Sequence, residues 1–505
     1  SELQGKQVRF RNMSVSGDRP DSFPRSSGAM SMTEYLQYVK GYTPLGAGVR
    51  GLPFAATMIV DSDIRIAPID MGSTNPTGAR TPAAAQADPV RLQVQGEMPS
   101  LLAIYRDLHQ NPELSFQEVR SAKIMADAAR KAGFEVTEGV GKTGVVAVMR
   151  NGPGPVVLVR ADMDALPVEE QTGLAFASKA RGVSTAGVES GIMHACGHDT
   201  HMTGWIGAAR VLAANKDKWS GTLVMIGQPA EEINLGALEM IKDGLLTRFP
   251  KPDYAISFHD SAELASGVVG VKAGFALANA DSVDITVKGL GGHGAYPQTT
   301  KDPIVLASAI VMRLQTLVSR ESNPFEASVV TVGAIHGGAK HNIISDEVKM
   351  QLTVRSYSDS SRKLLLDGIK RIARAEAMAS GLPEDRMPVI KIAEPYARAT
   401  WNTPELAERM RGVLTQRFGA DRVASPQPSM AGEDFGEIAR AAVPGTQSLI
   451  LWIGGRSAAE MEAAAKEGKQ LPGLHSPFWA PEADKVIAAG TEALVAATLE
   501  LMPRK

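Results

Sequence analysis

The chain has 505 residues, a formal net charge of −2 and one cysteine. Hydrophobic residues make up 44% and charged residues 21% of it, which is ordinary for a soluble globular protein. The interspersed charges indicate no basic surface for nucleic acid, no apolar run approaches the roughly 20 residues that span a bilayer, and a single cysteine excludes an intramolecular disulfide. We therefore expect a soluble protein without nucleic-acid or membrane partners.

The first 97 residues differ in composition from the rest. Residues 1–34 are polar and lack periodicity, and residues 70–95 are rich in Pro, Ala, Gly and Thr. We interpret residues 1–97 as a leader or an extended, partly disordered arm. The alanine-rich run at residues 83–87 is similar to the end of a secretory signal, so a cytoplasmic location and a periplasmic or secreted one both stay open.

From residue 98 onward, predicted helices and strands alternate. Helical patterns lie at residues 100–109, 115–132, 202–214 and 236–243, and strand patterns lie at residues 145–149, 155–160, 221–227 and 253–258. This alternation predicts a mixed, mostly parallel α/β sheet with helices on both faces.

Near residue 278 the order of elements changes. Strand, helix, strand, strand, helix and strand patterns follow one another at residues 282–288, 303–320, 328–334, 347–357, 360–380 and 387–392. This order is the split βαβ pattern of a ferredoxin-like α+β sandwich. Helical patterns at residues 404–417 and 483–501 then resume the earlier alternation. We therefore predict one domain formed by residues 98–277 and 393–505, with a second domain of residues 278–392 inserted between its two segments.

Carboxylate or imidazole side chains directly follow three of the predicted strands. They are Asp162 and Asp164, Glu231 and Glu232, and His259. Because the carboxyl ends of strands in an open α/β sheet lie where ligands bind, we expect these side chains to converge. Carboxylates and imidazoles bind divalent metal ions, and one member of an adjacent carboxylate pair can bind metal while the other moves protons.

The only cysteine is flanked by imidazoles. Cys196 lies between His194 and His198, and a further candidate ligand, His475, lies late in the chain in a loop bounded by Pro477. A thiolate binds borderline metal ions such as zinc, and it also serves as a nucleophile. The flanking residues favour a metal ligand, and nucleophilic catalysis by Cys196 itself is the alternative.

Seven stretches carry these residues and their surroundings, at residues 106–114, 160–167, 193–201, 228–232, 291–293, 431–435 and 475–477. In this order they resemble the dinuclear metallo-amidohydrolases and peptidases that include aminoacylases and glutamate carboxypeptidases. The most similar branch is that of hippurate hydrolase and the plant indole-acetyl-amino-acid hydrolases. The resemblance covers residues 98–502 and implies a zinc-peptidase-like catalytic domain with an inserted ferredoxin-like lid and dimerisation domain.

The resemblance also implies two divalent metal ions per subunit, with zinc or manganese ahead of cobalt or nickel. The implied ligands are Cys196, His198, Glu232, His259 and His475. Among them, Cys196 would be a bridging thiolate. Glu231 would be the general base, and Asp162 and Asp164 would fix the orientation of the ligands.

Residues of the inserted domain receive roles in the same way. The resemblance implies that His293 stabilises the oxyanion from the partner subunit, and that Asn342 and Arg355 bind the carboxylate of the substrate. An arginine fork suits such a group. Three further histidines receive structural or supporting roles, namely His109, His194 and His201.

Together these assignments predict a metal-dependent amidohydrolase that cleaves hippurate-like N-acyl amino acids to a carboxylic acid and an amino acid. Its partners would be that small molecule or a short peptide, and a second copy of the chain bound through the inserted domain. A metallo-carboxypeptidase or dipeptidase with the same site is the first alternative. A catalytically inactive homologue that binds a metal or another ligand is the second.

Overall fold

The computed structural model describes residues 88–504. Most of the arm expected at residues 1–97, namely residues 1–87, therefore lies outside the described residues. From Pro89 the chain is helical, and Val90 and Val94 are buried in the main core. Asp88 caps this helix by accepting a hydrogen bond from the Val90 amide. The helix begins before the predicted residue 100 because Pro99 lies inside it and does not interrupt it.

The helices have the following bounds: α1 Pro89–Gln110, α2 Val119–Lys131, α3 His198–Ala214, α4 Gly236–Lys242, α5 Leu245–Arg248, α6 Pro303–Thr316, α7 Asp359–Ala379, α8 Pro404–Phe418, α9 Gly436–Ala441, α10 Ala458–Glu467 and α11 Ala483–Leu501. The strands are β1 Glu135–Val140, β2 Gly144–Asn151, β3 Val156–Asp162, β4 Arg181–Val183, β5 Glu189–Gly191, β6 Gly221–Gln228, β7 Tyr254–Ala265, β8 Val269–Gly270, β9 Gly274–Phe275, β10 Asn279–Lys288, β11 Gly292–His293, β12 Val329–Gly337, β13 Ile343–Ile344, β14 Glu347–Ser356, β15 Val389–Ile392, β16 Trp401–Asn402, β17 Val423–Ala424 and β18 Gln447–Arg456.

Eight strands form the main sheet in the order β1-β2-β6-β3-β7-β18-β8-β17. Its centre is parallel, since β3 pairs with β6 and β7, and β7 pairs with β18, all in the same direction. Antiparallel pairs between β1, β2 and β6 and between β18 and β8 make the sheet mixed. Helices α1, α2, α3, α8 and α11 contribute to the core on one face, and α4, α5 and α9 contribute to the core on the other. The predicted fold class is confirmed.

A second sheet lies between Asn279 and Ile392, and we call these residues the α+β segment. Its strands follow the order β12-β14-β10-β15, and every pair is antiparallel. Helices α6 and α7 pack on this sheet and share its separate core. The strand order is the one that the split βαβ pattern produces.

Helix α6 is unusually apolar. With the π turn Leu317–Glu321 that continues it, it is long and apolar enough, by length and composition alone, to cross a membrane. Its residues Leu306, Ile310 and Leu314 are fully or almost fully buried against the second sheet. Only 33% of the apolar window is buried, so one face of the helix packs on the second sheet and the other is exposed, and one such helix is weak support for a membrane segment.

Asn279 is the residue at which the chain enters the second sheet, and it contacts the segment through which the chain leaves that sheet. Its side-chain oxygen accepts a hydrogen bond from the Ala399 amide at 2.8 Å, and its nitrogen donates to the Ser356 hydroxyl at 3.1 Å. Close by, the Arg362 guanidinium donates to both carboxylate oxygens of the buried Asp281. These contacts hold the end of β14, the strand that carries Arg355, next to the two segments through which the chain enters and leaves the second sheet.

Candidate metal centre

Three adjacent strands carry predicted ligands to one edge of the main sheet. Asp162 ends β3, and a 3-10 turn at Glu231–Ile233 follows β6. His259 lies within β7, whereas the sequence placed it just after the strand. The strand continues because residues beyond 257 still pair with β18.

The five predicted ligands form one cluster. The Cys196 Sγ atom lies 3.3 Å from His475 Nε2 and 3.5 Å from His259 Nε2. Glu232 Oε2 lies 3.5 Å from His475 Nε2, and its Oε1 lies 3.8 Å from His198 Nε2. Residues up to 279 positions apart in the chain therefore meet around one thiol.

Two groups of three potential ligand atoms share Cys196. One group adds His198 and His259, and the other adds Glu232 and His475. Within each group the ligand atoms lie within 4.8 Å of one another. A shared thiol between two groups is the arrangement that a bridging ligand of two metal ions requires.

Buried atoms without partners indicate that this cluster fits a cation. Both ring nitrogens of His198 and Oε1 of Glu232 are buried and have no hydrogen-bond partner among residues 88–504. Burying unpaired polar atoms is costly, and a bound cation would satisfy them. Thiolate, imidazole and carboxylate together suit zinc and related divalent ions.

Local geometry prepares His259 and Cys196 for this role. His259 Nδ1 donates to the Asp260 carbonyl oxygen at 2.8 Å, which leaves Nε2 unprotonated and directed to the thiol. Gly197 has a φ of 80°, and a Cβ added there would lie 2.2 Å from a carboxylate oxygen of Asp260. Only glycine therefore fits between Cys196 and His198.

Asp164 holds the turn that carries the two glutamates. It accepts hydrogen bonds from the backbone amides of Glu231 and Glu232 at 3.0 and 3.1 Å. The Ser115 hydroxyl donates to it at 2.6 Å. Asp164 therefore orients the Glu231–Glu232 pair through the backbone.

Asp162 is bound on both of its oxygens. Arg160 donates to one at 2.7 Å, and His201 Nδ1 contacts the other at 2.6 Å. His201 Nε2 accepts from the Asp260 amide at 2.9 Å, so its proton sits on Nδ1. Although burial opposes ionisation, His198 and Arg160 hold the pKa of Asp162 well below its usual value. His201 thus joins two aspartates beneath the ligands, a supporting role.

Arg160 is a site residue to which sequence reasoning gave no function. Its guanidinium is fully buried and binds both carboxylate oxygens of Glu433, at 2.8 and 3.2 Å. It also donates to Gln228 at 3.0 Å, and the Gln228 amide donates to Asp434 at 2.6 Å. Both partner stretches, 160–167 and 431–435, were noted in the sequence, but their contact was not visible there.

Glu231 has the properties of a proton acceptor. It is 6% exposed, and its Oε2 lies 3.8 Å from His198 Nε2. Burial raises the pKa of Glu231 well above its usual value, and the carboxylates of Glu433 and Glu232 raise it further. A raised pKa makes a carboxylate a stronger base, as general-base catalysis requires.

The centre is reached from solvent beside His475. The His475 side chain is 55% exposed, whereas Cys196, His198 and His259 are buried. His475 has a φ of 66°, which is uncommon for a residue other than glycine, and its amide donates to the Ala195 carbonyl at 2.8 Å. The loop therefore presents this imidazole at the mouth of a closed cluster.

The predicted residues of the α+β segment lie on β11, next to β13 and on β14. His293 on β11 pairs with Ile343 on β13, and the Gly294 amide donates to the Asn342 carbonyl at 2.8 Å, so His293 and Asn342 are neighbours. Both side chains are exposed, and among the described residues no hydrogen bond joins either one to the ligands. Arg355 is half-buried and faces the stretch that carries Glu433, since a Cβ on Gly432 would lie 3.5 Å from Arg355 Nη1.

Comparison with known proteins places these residues in context. The profile of the peptidase family M20/M25/M40 matches residues 158–469. Thermostable carboxypeptidase 2 of Saccharolobus solfataricus is 36% identical over 400 residues, which cover 78% of this chain and 94% of that protein. Hippurate hydrolase of Campylobacter jejuni is 38% identical over 351 residues, covering 69% and 86%. A crystal structure from Bacillus subtilis, described as a dinuclear metal binding peptidase from the M20 family, matches with a TM-score of 0.63 at 28% identity, covering 80% of this chain and 98% of that one.

Replacement of Asp164 tests how the turn is held. We expect Asp164→Ala to weaken divalent-metal binding about 10- to 100-fold, because both glutamate amides lose their acceptor. Competition against a fluorescent chelator measures this affinity. Ser115→Ala is the matched control, since it removes one hydrogen bond to Asp164 and leaves both amides bonded. Equal metal affinities of Asp164→Ala and the wild type would contradict the assignment.

Proposed function

Because the chain belongs to the peptidase family M20/M25/M40, we propose that it hydrolyses N-acyl amino acids to a carboxylic acid and an amino acid. At the coarser level it is a metal-dependent hydrolase acting on amide bonds. The observation that carries the proposal is the pair of ligand groups sharing Cys196, with the buried Glu231 beside them. Hippurate-like substrates are proposed because a hippurate hydrolase is among the relatives at 38% identity.

In the proposed site, five residues would hold two divalent ions, with Cys196 common to both ligand groups: Cys196, His198, Glu232, His259 and His475. Zinc or manganese is proposed, with cobalt or nickel as alternatives, since the ligand set is borderline in softness. Ions bound here supply Lewis acidity, which activates water near neutral pH and polarises a carbonyl group.

Glu231 moves the protons of the reaction. It accepts a proton from the attacking water while the oxygen of that water bonds to the amide carbon. The carbon–nitrogen bond then breaks, and Glu231 returns the proton to the leaving amine. His293 donates a hydrogen bond to the oxyanion that forms between these steps. Asp164 keeps the base in place through the Glu231 amide.

Arg355 is the proposed partner of the substrate carboxylate, together with Asn342. Its guanidinium donates to the Thr353 hydroxyl at 3.0 Å, and within the described residues it forms no ion pair with a carboxylate. Burial lowers the pKa of Arg355, which indicates that water solvates its charge poorly. A half-buried, unpaired guanidinium is suited to bind a carboxylate with two hydrogen bonds.

A metallo-carboxypeptidase is the second candidate, and a specific finding favours it. A thermostable carboxypeptidase is 36% identical to the chain over 400 residues. Both reactions release an amino acid that keeps its free carboxylate, so both would use Arg355 in the same way. They differ in the acyl group on the other side of the cleaved amide bond: an amidohydrolase releases a simple carboxylic acid, and a carboxypeptidase releases a shortened peptide.

A homodimer through the α+β segment is also proposed. Helix α6 and its continuation expose Val305, Met312 and Val318 to 65%, 72% and 37%. Beside them β12 is an edge strand, and an unpaired edge next to an apolar surface is a common site of association. His293 is exposed on the same segment and has no hydrogen bond to the ligands of its own chain among the described residues, which is what we expect of a residue that acts in the site of a partner subunit.

The base assignment is tested by Glu231→Gln. We expect hippurate hydrolysis to fall by a factor on the order of 10² to 10⁴, while metal content stays at the wild-type level because the proposed ligand set does not include Glu231. Glycine release and atomic emission measure the two quantities. Loss of metal in this variant would contradict the assignment. Wild-type activity that survives exhaustive chelation but not alkylation would instead support Cys196 as a nucleophile.

The carboxylate assignment is tested by Arg355→Met. We expect kcat/KM for hippurate to fall about 10- to 100-fold, because a charge-assisted pair is lost. The uncharged amide of hippurate should be hydrolysed equally by variant and wild type. Arg374→Met is the control, since Arg374 lies in the same segment and pairs only with the exposed Glu384. A loss of equal size for both substrates would contradict a role in binding the carboxylate.

Mixing two inactive variants tests the dimer. In a mixed dimer of His293→Ala and Glu231→Gln, one site holds an intact Glu231 and receives His293 of the partner subunit. Subunit exchange should therefore restore about a quarter of the wild-type rate, since half of the dimers are mixed and each has one active site. Light scattering measures whether the chain forms a dimer in solution. No recovery after proven exchange would place His293 in the site of its own chain or outside any site.

A further inference from the structure

A buried ionic network lies beside the metal centre without including any of its ligands. His109 on α1 places Nδ1 2.6 Å from Asp199 Oδ2 and Nε2 3.1 Å from Glu170 Oε1. All three side chains are at most 2% exposed. Sequence reasoning gave His109 a structural role and gave the two carboxylates none.

One end of this network is the residue next to a metal ligand. Asp199 follows His198 in the first turn of α3. Its other carboxylate oxygen accepts from the Thr200 amide at 2.8 Å. Asp199 is thereby fixed to the start of α3 by a contact that does not involve His109.

The other end organises a loop that reaches a second ligand. Glu170 accepts from the Ser178 amide at 2.5 Å and from the Thr172 hydroxyl, so it closes the loop of residues 170–178. The Gln171 amide of this loop donates to the Pro477 carbonyl at 2.8 Å. Pro477 lies two residues after His475 in the exposed loop at the mouth of the centre.

His109 compensates the charge of two carboxylates. Burial disfavours its protonation, but hydrogen bonds to Asp199 and Glu170 raise the pKa of His109 to about 10. Two buried carboxylates without a cation between them would repel each other and lack solvation. Aromatic packing also encloses the ring, since the Phe176 ring from the same loop meets it edge-on at 5.3 Å.

We infer that His109 is a positioning residue for the metal centre, which joins the helix of His198 to the loop of His475 through Glu170 and Gln171. The inference rests on the proposed function, because it concerns the ions that these ligands would hold. The group of Cys196, Glu232 and His475 includes the ligand carried by this loop, whereas His198 lies on α3, His259 lies on β7 and Cys196 lies in the turn just before α3. Loss of His109 should therefore weaken one ion selectively.

The test is a chelator challenge of the metal-loaded enzyme, with retained metal measured by atomic emission. The variants are His109→Gln and Glu170→Gln, and Glu169→Gln is the matched control because that neighbour is exposed and pairs only with Arg181. We expect one of the two release steps to shift to about 10- to 100-fold lower chelator concentration, the same step in both variants, with the other step unchanged. The double variant should shift no further than the worse single one, since both break one path.

Gln171→Pro is a third variant, which tests the same connection without changing His109, Asp199 or Glu170. It removes the amide donor to Pro477 at an exposed position and should shift the same release step. Both steps unchanged, or both shifted equally, in all three variants would overturn the inference while the proposed function stands. Wild-type enzyme that retains fewer than two ions would overturn the proposed function and the inference with it.

Discussion

The burial of many carboxylates at one sheet edge is the constraint on which the site depends. Asp162, Glu433 and Asp434 are all almost fully buried, and Arg160 lies among them as a buried counterion. A lone buried carboxylate would be protonated or would destabilise the fold. Arg160 forms an ion pair with each of the three and so lowers the free-energy cost of burying them next to Glu231 and Glu232. The guanidinium in turn joins β3 to a stretch 273 residues later in the chain.

The same arrangement fits the two different roles proposed for the adjacent glutamates. Glu232 faces the thiol and His475, while Glu231 is nearer to Glu433 and has its pKa raised by burial and by that carboxylate. Asp164 holds both through their amides and leaves the side chains free to differ. The chemistry therefore depends on a backbone turn as much as on the acids themselves.

Alternating elements and strand-end residues were sufficient to predict the fold class and to group the ligand candidates. The central strand β18 was missed, although its apolar run beginning at Leu449 and bounded by Gly454 is a usable strand signal. The contacts of Arg160, His109 and His201 were not predictable, because each depends on partners distant in sequence that no local pattern links. The roles of His293, Asn342 and Arg355 stay predictions, since they concern a substrate and a second subunit.

Cys196 also has a practical consequence for work with this protein. It is the only thiol among 505 residues and it is 6% exposed at the junction of the two ligand groups. Burial raises the pKa of the Cys196 thiol well above its usual value, so even without metal it reacts slowly with alkylating reagents while the chain is folded. If Cys196 binds metal as proposed, added metal would slow the uptake of a mass tag further, and this one thiol would report the loading of the centre without any engineered cysteine.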